Sequence, residues 1–220
     1  MPEETRERVR RLAASSTDGM SWFEDLYREA DGDVAQVPWA DRRPNRNLVS
    51  WLDREKPKGR GIKTLVVGCG LGDDAELLAR WQFDVTAFDL SPTAIDWCRR
   101  RYPSTSVKYV QSDLFNPPGE WIGGWNFVFE AYTVQPLPMS LRERALDAVA
   151  RLVAPGGRLL FICRGREEYD PTDGPPPWPL TYADMSRLSE VGGLRATSFE
   201  DYLDDEEPPV RRFRAVYHRD

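Results

Sequence analysis

The stretch Lys63-Thr64-Leu65-Val66-Val67-Gly68-Cys69-Gly70-Leu71-Gly72-Asp73-Asp74-Ala75-Glu76-Leu77-Leu78-Ala79-Arg80 decides the fold. Its opening residues are apolar on both sides of the chain, as in the central strand of a parallel sheet covered on both faces. Asp74 to Arg80 carry a helical pattern, and three glycines lie between the two segments. A strand, a glycine turn and a helix in that order open a βαβ unit. Glycine lets such a turn adopt positive φ and lets a ligand come close to the backbone.

Working outward, strand-like and helical runs keep alternating as far as Arg164. Asp84 to Phe88 reads as a second strand, and Ser91-Pro92 as the cap and first turn of the next helix. Val107 to Val110, Phe127 to Phe129 and Arg158 to Ile162 read as three more strands, with an amphipathic helix over Leu141 to Leu152. The run Asp173 to Pro179 is too rich in proline for helix or central strand and is expected as a loop. Thr181 and Asp184 predict a capping box. Leu194 to Leu203 and Val210 to Tyr217 predict a closing hairpin around the acidic turn Asp204 to Pro209. Upstream, Met20 to Ala30 and Asn45 to Leu52 predict helices on either side of Pro38-Trp39.

The chain has 220 residues, room for one α/β domain over 61–220 with a helical extension and lid over 1–60. With 36 acidic against 30 basic residues the net charge is -6, which offers no field for holding nucleic acid. The arginine runs Arg99-Arg101 and Arg211-Arg214 read as solvated faces of a helix end and an edge strand. Cys69, Cys98 and Cys163 are far apart in sequence and have no histidine near them, so no disulfide framework and no metal site is expected. No apolar run approaches the roughly 20 residues that span a bilayer, and Met1 to Leu12 has no signal-peptide core. The expectation is a cytoplasmic protein without a membrane partner; the sequence leaves oligomeric state open.

A dinucleotide loop wants glycine or alanine where Asp73 stands, with pyrophosphate at the helix N-terminus. Asp73 and Asp74 would repel that phosphate, whereas S-adenosylmethionine carries an ammonium and a sulfonium. Both acids also suit a first helical turn through the helix dipole. Asp89 ends the second strand, where a carboxylate accepts from ribose hydroxyls or caps the next helix, and Leu90 follows it. Asp113, with Leu114 and Phe115, suits an adenine edge or an Asx turn. Glu130 and Tyr132 end the fourth strand, at the crevice of an open α/β sheet. Glu130 reads as a cofactor contact or as the partner of an arginine, and Tyr132 as pocket wall or core. Trp39 reads as a lid or as a pin for the N-terminal segment, and Trp22, Phe23 and Tyr27 share that ambiguity. The single histidine, His218, is expected at the surface on an edge strand.

These residues together resemble the class I S-adenosylmethionine-dependent methyltransferases, with Gly68-Cys69-Gly70 and Gly72, Asp89, Asp113 and Pro155-Gly156-Gly157 in that order. Within them the chain is similar to the thiopurine S-methyltransferase and halide/thiol methyltransferase branch. Pro38-Trp39, Pro44, Phe88 to Ala94, Gly174-Pro175-Pro176 and Pro179-Leu180-Thr181 carry that likeness. Two departures stand out: Val66-Val67 replace an acid before the first glycine, and Asn126 replaces an aspartate. The resemblance implies a Rossmann-like sheet of seven mostly parallel strands, the last antiparallel, with an N-terminal helical lid. It implies S-adenosyl-L-methionine as cofactor and a small-molecule acceptor, and Glu130, Tyr132 and Trp39 become candidate catalytic residues. Asp73, Asp74 and Glu130 become candidates for the methionine end. A thiol acceptor fits a chain with no obvious strong base. O- or N-methylation, an NAD-dependent dehydrogenase and an inactive cofactor-binding protein are the rival readings.

Overall fold

The computed structural model describes residues 3–172, 174 and 176–220. Seven strands form one sheet: β1 (Lys63–Val67), β2 (Asp84–Asp89), β3 (Lys108–Gln111), β4 (Trp125–Ala131), β5 (Val153–Arg164), β6 (Arg195–Leu203) and β7 (Arg211–His218). Their spatial order is β3-β2-β1-β4-β5-β7-β6. The first five are parallel, and β7 runs antiparallel to both of its neighbours. The chain reverses direction across the sheet at β1, whose neighbours are β2 and β4. That reversal opens a crevice at the carboxyl ends of those strands.

Seven helices accompany the sheet: α1 (Glu3–Ser15), α2 (Trp22–Ala30), α3 (Arg46–Glu55), α4 (Asp73–Arg80), α5 (Pro92–Arg101), α6 (Met139–Leu152) and α7 (Tyr182–Glu190). Side chains alternate across each strand, so two cores form. Leu65, Val128, Leu159 and Phe161 face α6 and α7, while Val66, Phe127, Phe129, Leu160 and Ile162 face α3, α4 and α5. Each such side chain contributes about 1.5–3 kcal/mol of burial. A third cluster joins Val9 and Leu12 of α1 and Trp22, Leu26 and Tyr27 of α2 to Ala94 and Trp97 of α5.

The expected caps form, Ser91 Oγ accepting from Ala94 N and Thr181 and Asp184 making the capping box; Asn45, read as the first helical residue, is instead the cap of α3, its side chain accepting from Asn47 N. Within the helical extension expected over 1–60, the sequence pattern does not mark α1 as a separate helix: among its described side chains the buried ones are Val9 and Leu12, in a charged segment. Asp173 and Pro175 of the expected proline-rich loop lie outside the described residues. The hairpin reading needs one correction: β7 is interior and β6 is the edge. Arg212 and Arg214, expected on a solvated face, are therefore buried, at 3% and 5% exposure. Carboxylates of the flanking strand and turn neutralise them, Asp204 and Glu206 for Arg212 and Glu200 for Arg214.

Candidate active site

The glycine loop follows β1, with Gly68, Gly70 and Gly72 all at positive φ. A side chain at Gly68 would collide with Thr133, and one at Gly72 with the Tyr109 ring, so two of these positions also require glycine sterically. Cys69 N donates to Phe88 O across to β2. Asp89 is buried at the end of β2 and ties the loop to the next turn, accepting from Gly70 N and Ser91 N at 2.9 Å each. Burial pushes its carboxyl up to about 6 against the pull of those N–H groups.

The N-terminal helices roof this loop. A Cβ on Gly70 would lie 3.2 Å from the Tyr27 hydroxyl, which accepts from Trp39 Nε1 at 2.8 Å. Trp39 meets Trp22, Phe23 and Tyr27 edge-on, yet remains 41% exposed. Glu24 latches α2 to α5, its carboxylate accepting from Ser91 Oγ and Thr93 Oγ1 at 2.6 Å each.

Asp73 and Asp74 face different partners. Arg101 donates to both oxygens of Asp73 at 3.0 Å, and Tyr102 Oη donates to it as well. Asp74 accepts from Asn45 N at 2.6 Å and anchors the start of α3; burial pushes its carboxyl up to about 7. Asp113 accepts from Phe115 N at 2.8 Å and Asn116 Nδ2 at 2.6 Å, an Asx turn after β3. Leu114 is buried beside it, while Leu90 and Phe115 are half-buried.

Glu130 is fully buried. Its Oε1 accepts from Thr133 N at 2.7 Å and Val134 N at 3.0 Å, while Oε2 has no partner. Burial pushes this carboxyl up to about 8. The turn it holds sets Thr133 against Gly68, with Thr133 Oγ1 donating to Val67 O at 3.1 Å. Tyr132 stands at φ 64°, an uncommon conformation for a bulky residue. Its hydroxyl accepts from Asn47 Nδ2 at 3.0 Å, Asn47 Oδ1 accepts from Tyr202 at 2.6 Å, and the Arg212 guanidinium lies over its ring.

The structure thus gathers Asp89, the glycines, Tyr27, Trp39, Glu130 and Tyr132 around one crevice, and gives Asp73 and Asp74 protein partners of their own. Asn47 and Tyr202 escaped the sequence reading, and Arg212 entered it only as part of a solvated run. Their contacts span 80 to 155 positions, and no local signal announces them.

The family model of thiopurine S-methyltransferase matches residues 31–217. The chain belongs to this family. It is therefore an S-adenosylmethionine-dependent methyltransferase acting on a small molecule. The chain is 27% identical over 161 residues to a 2-heptyl-1-hydroxyquinolin-4(1H)-one methyltransferase of Mycobacteroides abscessus, covering 70% of this chain and 69% of that protein. It is 25% identical over 171 residues to thiocyanate methyltransferase 1 of Brassica oleracea, covering 75% and 72%. The fold matches the Burkholderia thailandensis 1,6-didemethyltoxoflavin-N1-methyltransferase with a TM-score of 0.69, covering 100% of this chain and 90% of that one at 15% identity. The crevice suits the cofactor electrostatically. Among the described residues no cation pairs with the buried carboxyls of Asp89 and Glu130, and Glu130 Oε2 is buried without a hydrogen-bond partner. A sulfonium and an ammonium supply that charge, and a pyrophosphate does not.

Proposed function

We propose that this methyltransferase delivers the methyl group to the sulfur of a small-molecule thiol by direct in-line displacement. One observation carries the reading: the only histidine, His218, stands opposite Arg158 on β5, six residues from the crevice end at Arg164. That is ~20 Å at ~3.3 Å per strand residue, too far to serve as a base. The carboxylates nearer the crevice already accept backbone N–H groups. An acceptor that is partly ionised by itself therefore fits best, and a thiol near pKa ~8.5 meets that condition where an aliphatic alcohol does not. Thiocyanate, the sulfur-containing anion named for the Brassica oleracea relative, is compatible with this reading. The quinolone-named relative favours an acidic hydroxyl as the second reading.

In this reading Gly68, Cys69, Gly70 and Gly72 cradle the cofactor, Asp89 takes the ribose, and Leu90, Asp113, Leu114 and Phe115 border the adenine. Glu130 Oε2 faces the cationic methionine end. Tyr132 walls the acceptor side and Trp39 closes over it, as part of an extension over 1–60 that lids the domain at 61–220. Asp73 and Asp74 act through Arg101 and Asn45, holding the loop and α3 rather than the cofactor. The protein's contribution to rate is then alignment and exclusion of water. The test is release of S-adenosylhomocysteine across a panel of thiols, phenols, amines and aliphatic alcohols. Rates on thiols should follow the acceptor's own ionisation as pH rises; efficient turnover of aliphatic alcohols with none of thiols sinks the sulfur assignment.

A further inference from the structure

Arg164 is the last residue of β5, at the carboxyl end of the sheet. Its backbone is fixed on three sides: its N–H donates to Gln135 Oε1 at 3.0 Å, its carbonyl accepts from Leu180 N at 2.9 Å, and it pairs in register with Arg212 of β7. Its side chain is half-buried and, among the described residues, makes no hydrogen bond, ion pair or ring contact. Every other buried or half-buried arginine among the described residues has a side-chain hydrogen bond, from Arg101 on Asp73 to Arg219 on two carbonyls.

The position gives that free cation a direction. Side chains alternate along β5, so Arg164 shares the face of Leu160 and Ile162, the face that carries α3. On the same face, Arg212 is neutralised by Asp204 and Glu206 at 2.6 Å each and lies over the Tyr132 ring. Arg164 therefore stands across a strand pair from a second cation with no carboxylate left over for it, an arrangement that is unfavourable until an anion arrives. β5 is two strands from β1, which puts Arg164 ~10 Å from the glycine loop at ~4.8 Å per strand, on the side away from Asp89 and Asp113. That is the acceptor's side of the crevice.

We propose that Arg164 determines acceptor specificity by receiving an anionic substituent of the methyl acceptor, a carboxylate or an anion of similar size. This rests on the small-molecule acceptor reading above, but not on which atom takes the methyl group. The test is calorimetric titration of 4-mercaptobenzoate and of the neutral 4-mercaptobenzamide into protein saturated with S-adenosylhomocysteine. The carboxylate should bind roughly 10-fold more tightly, as a charge-assisted pair with arginine does. Arg164→Gln should erase that ratio while leaving affinity for S-adenosylhomocysteine unchanged, and Arg164→Lys should restore part of it. Equal affinity of the two probes for the wild-type protein, or an unchanged ratio in Arg164→Gln, overturns the proposal. If the carboxylate preference holds and the thiol is not methylated, the sulfur assignment fails and the role of Arg164 stands.

Discussion

The two sides of the crevice are built on different plans. Around β1, β2 and β3 the carboxylates that close the second and third strands accept from backbone N–H groups of nearby turns, as when Asp89 accepts from Gly70 and Ser91 or Asp113 from Phe115. Around β4, β5 and β7 they run between side chains far apart in sequence: Tyr132 to Asn47, Asn47 to Tyr202, Arg214 to Glu200. Contacts to backbone N–H groups survive replacement of the donor's side chain, whereas side-chain networks can be exchanged one residue at a time. In the reading proposed above, the first side holds the methyl donor and the second the acceptor.

The largest effect expected from breaking this contrast is on stability, on the acceptor side. Arg212→Ala leaves Asp204, which is itself buried, without its cation. Removing one partner of a buried pair destabilises by about 3–5 kcal/mol. Thermal or urea unfolding measures it, and a loss below 1 kcal/mol would mean that the pair is solvated and the network loosely held. On the donor side the corresponding change is Asp89→Ala. Two charge-assisted hydrogen bonds at about 1.5–3 kcal/mol each are at stake, so S-adenosylmethionine affinity should fall more than 10-fold in a folded protein. Unchanged affinity would remove Asp89 from the cofactor site.

The same contrast explains what the sequence disclosed. The strands, the glycine turn, the Ser91 cap and the Thr181-Asp184 box depend on spacings of a few residues, so periodicity and cap chemistry were enough to read them. The strand order is not local. A hairpin at the end of a chain reads as an edge, but the sheet inserts β7 between β5 and β6, and that turns Arg212 and Arg214 from surface into core. Nothing in Val210 to Tyr217 distinguishes the two outcomes, because the carboxylates that make burial tolerable lie in the other strand and in the turn. Asp73 illustrates the same limit: its partner, Arg101, is 28 positions away at the far end of α5.

A smaller effect is expected from Glu130→Gln. The folded protein holds the Glu130 proton up to about 8, while the unfolded chain releases it near the ordinary 4.5. Ionisation of this group therefore costs stability as pH rises from about 4.5 to 8, and the penalty is absent below that window. A cationic cofactor beside Oε2 favours the ionised form, so binding should release a proton and affinity should rise between about pH 6 and 8. Asp89, raised to about 6, adds to the lower part of that rise. Glu130→Gln should flatten the upper part and raise the cofactor KM more than it lowers kcat. Calorimetry in buffers of different ionisation enthalpy counts the protons; an identical count in wild type and variant would leave Glu130 as a purely structural holder of Thr133 and Val134.

The smallest effect concerns the roof, where the contrast recurs within a single segment. From Trp22 to Ala30 the chain is a helix with Trp22, Leu26, Tyr27 and Ala30 buried and Glu24 bonded to Ser91 and Thr93. From Asp31 to Pro44 it holds only the short turn Val34–Gln36 and one buried side chain, Val37. Trp39, in this stretch, is tied by one hydrogen bond to Tyr27 and is well exposed. Its far end is anchored where Asn45 N donates to Asp74. A segment pinned at both ends and thinly packed between them is the part that a bound cofactor can order without unfolding anything else. Hydrogen exchange with and without S-adenosylhomocysteine should therefore show added protection at Gln36, Val37 and Ala40, whose N–H groups bond only within the segment. The gain should be on the order of 1 kcal/mol, the worth of one hydrogen bond, with α2 unchanged. Equal protection throughout 22–44 would make the whole segment a permanent part of the core. A gain shared by α2 would mean that the Glu24 latch opens and the entire N-terminal helix moves with the lid.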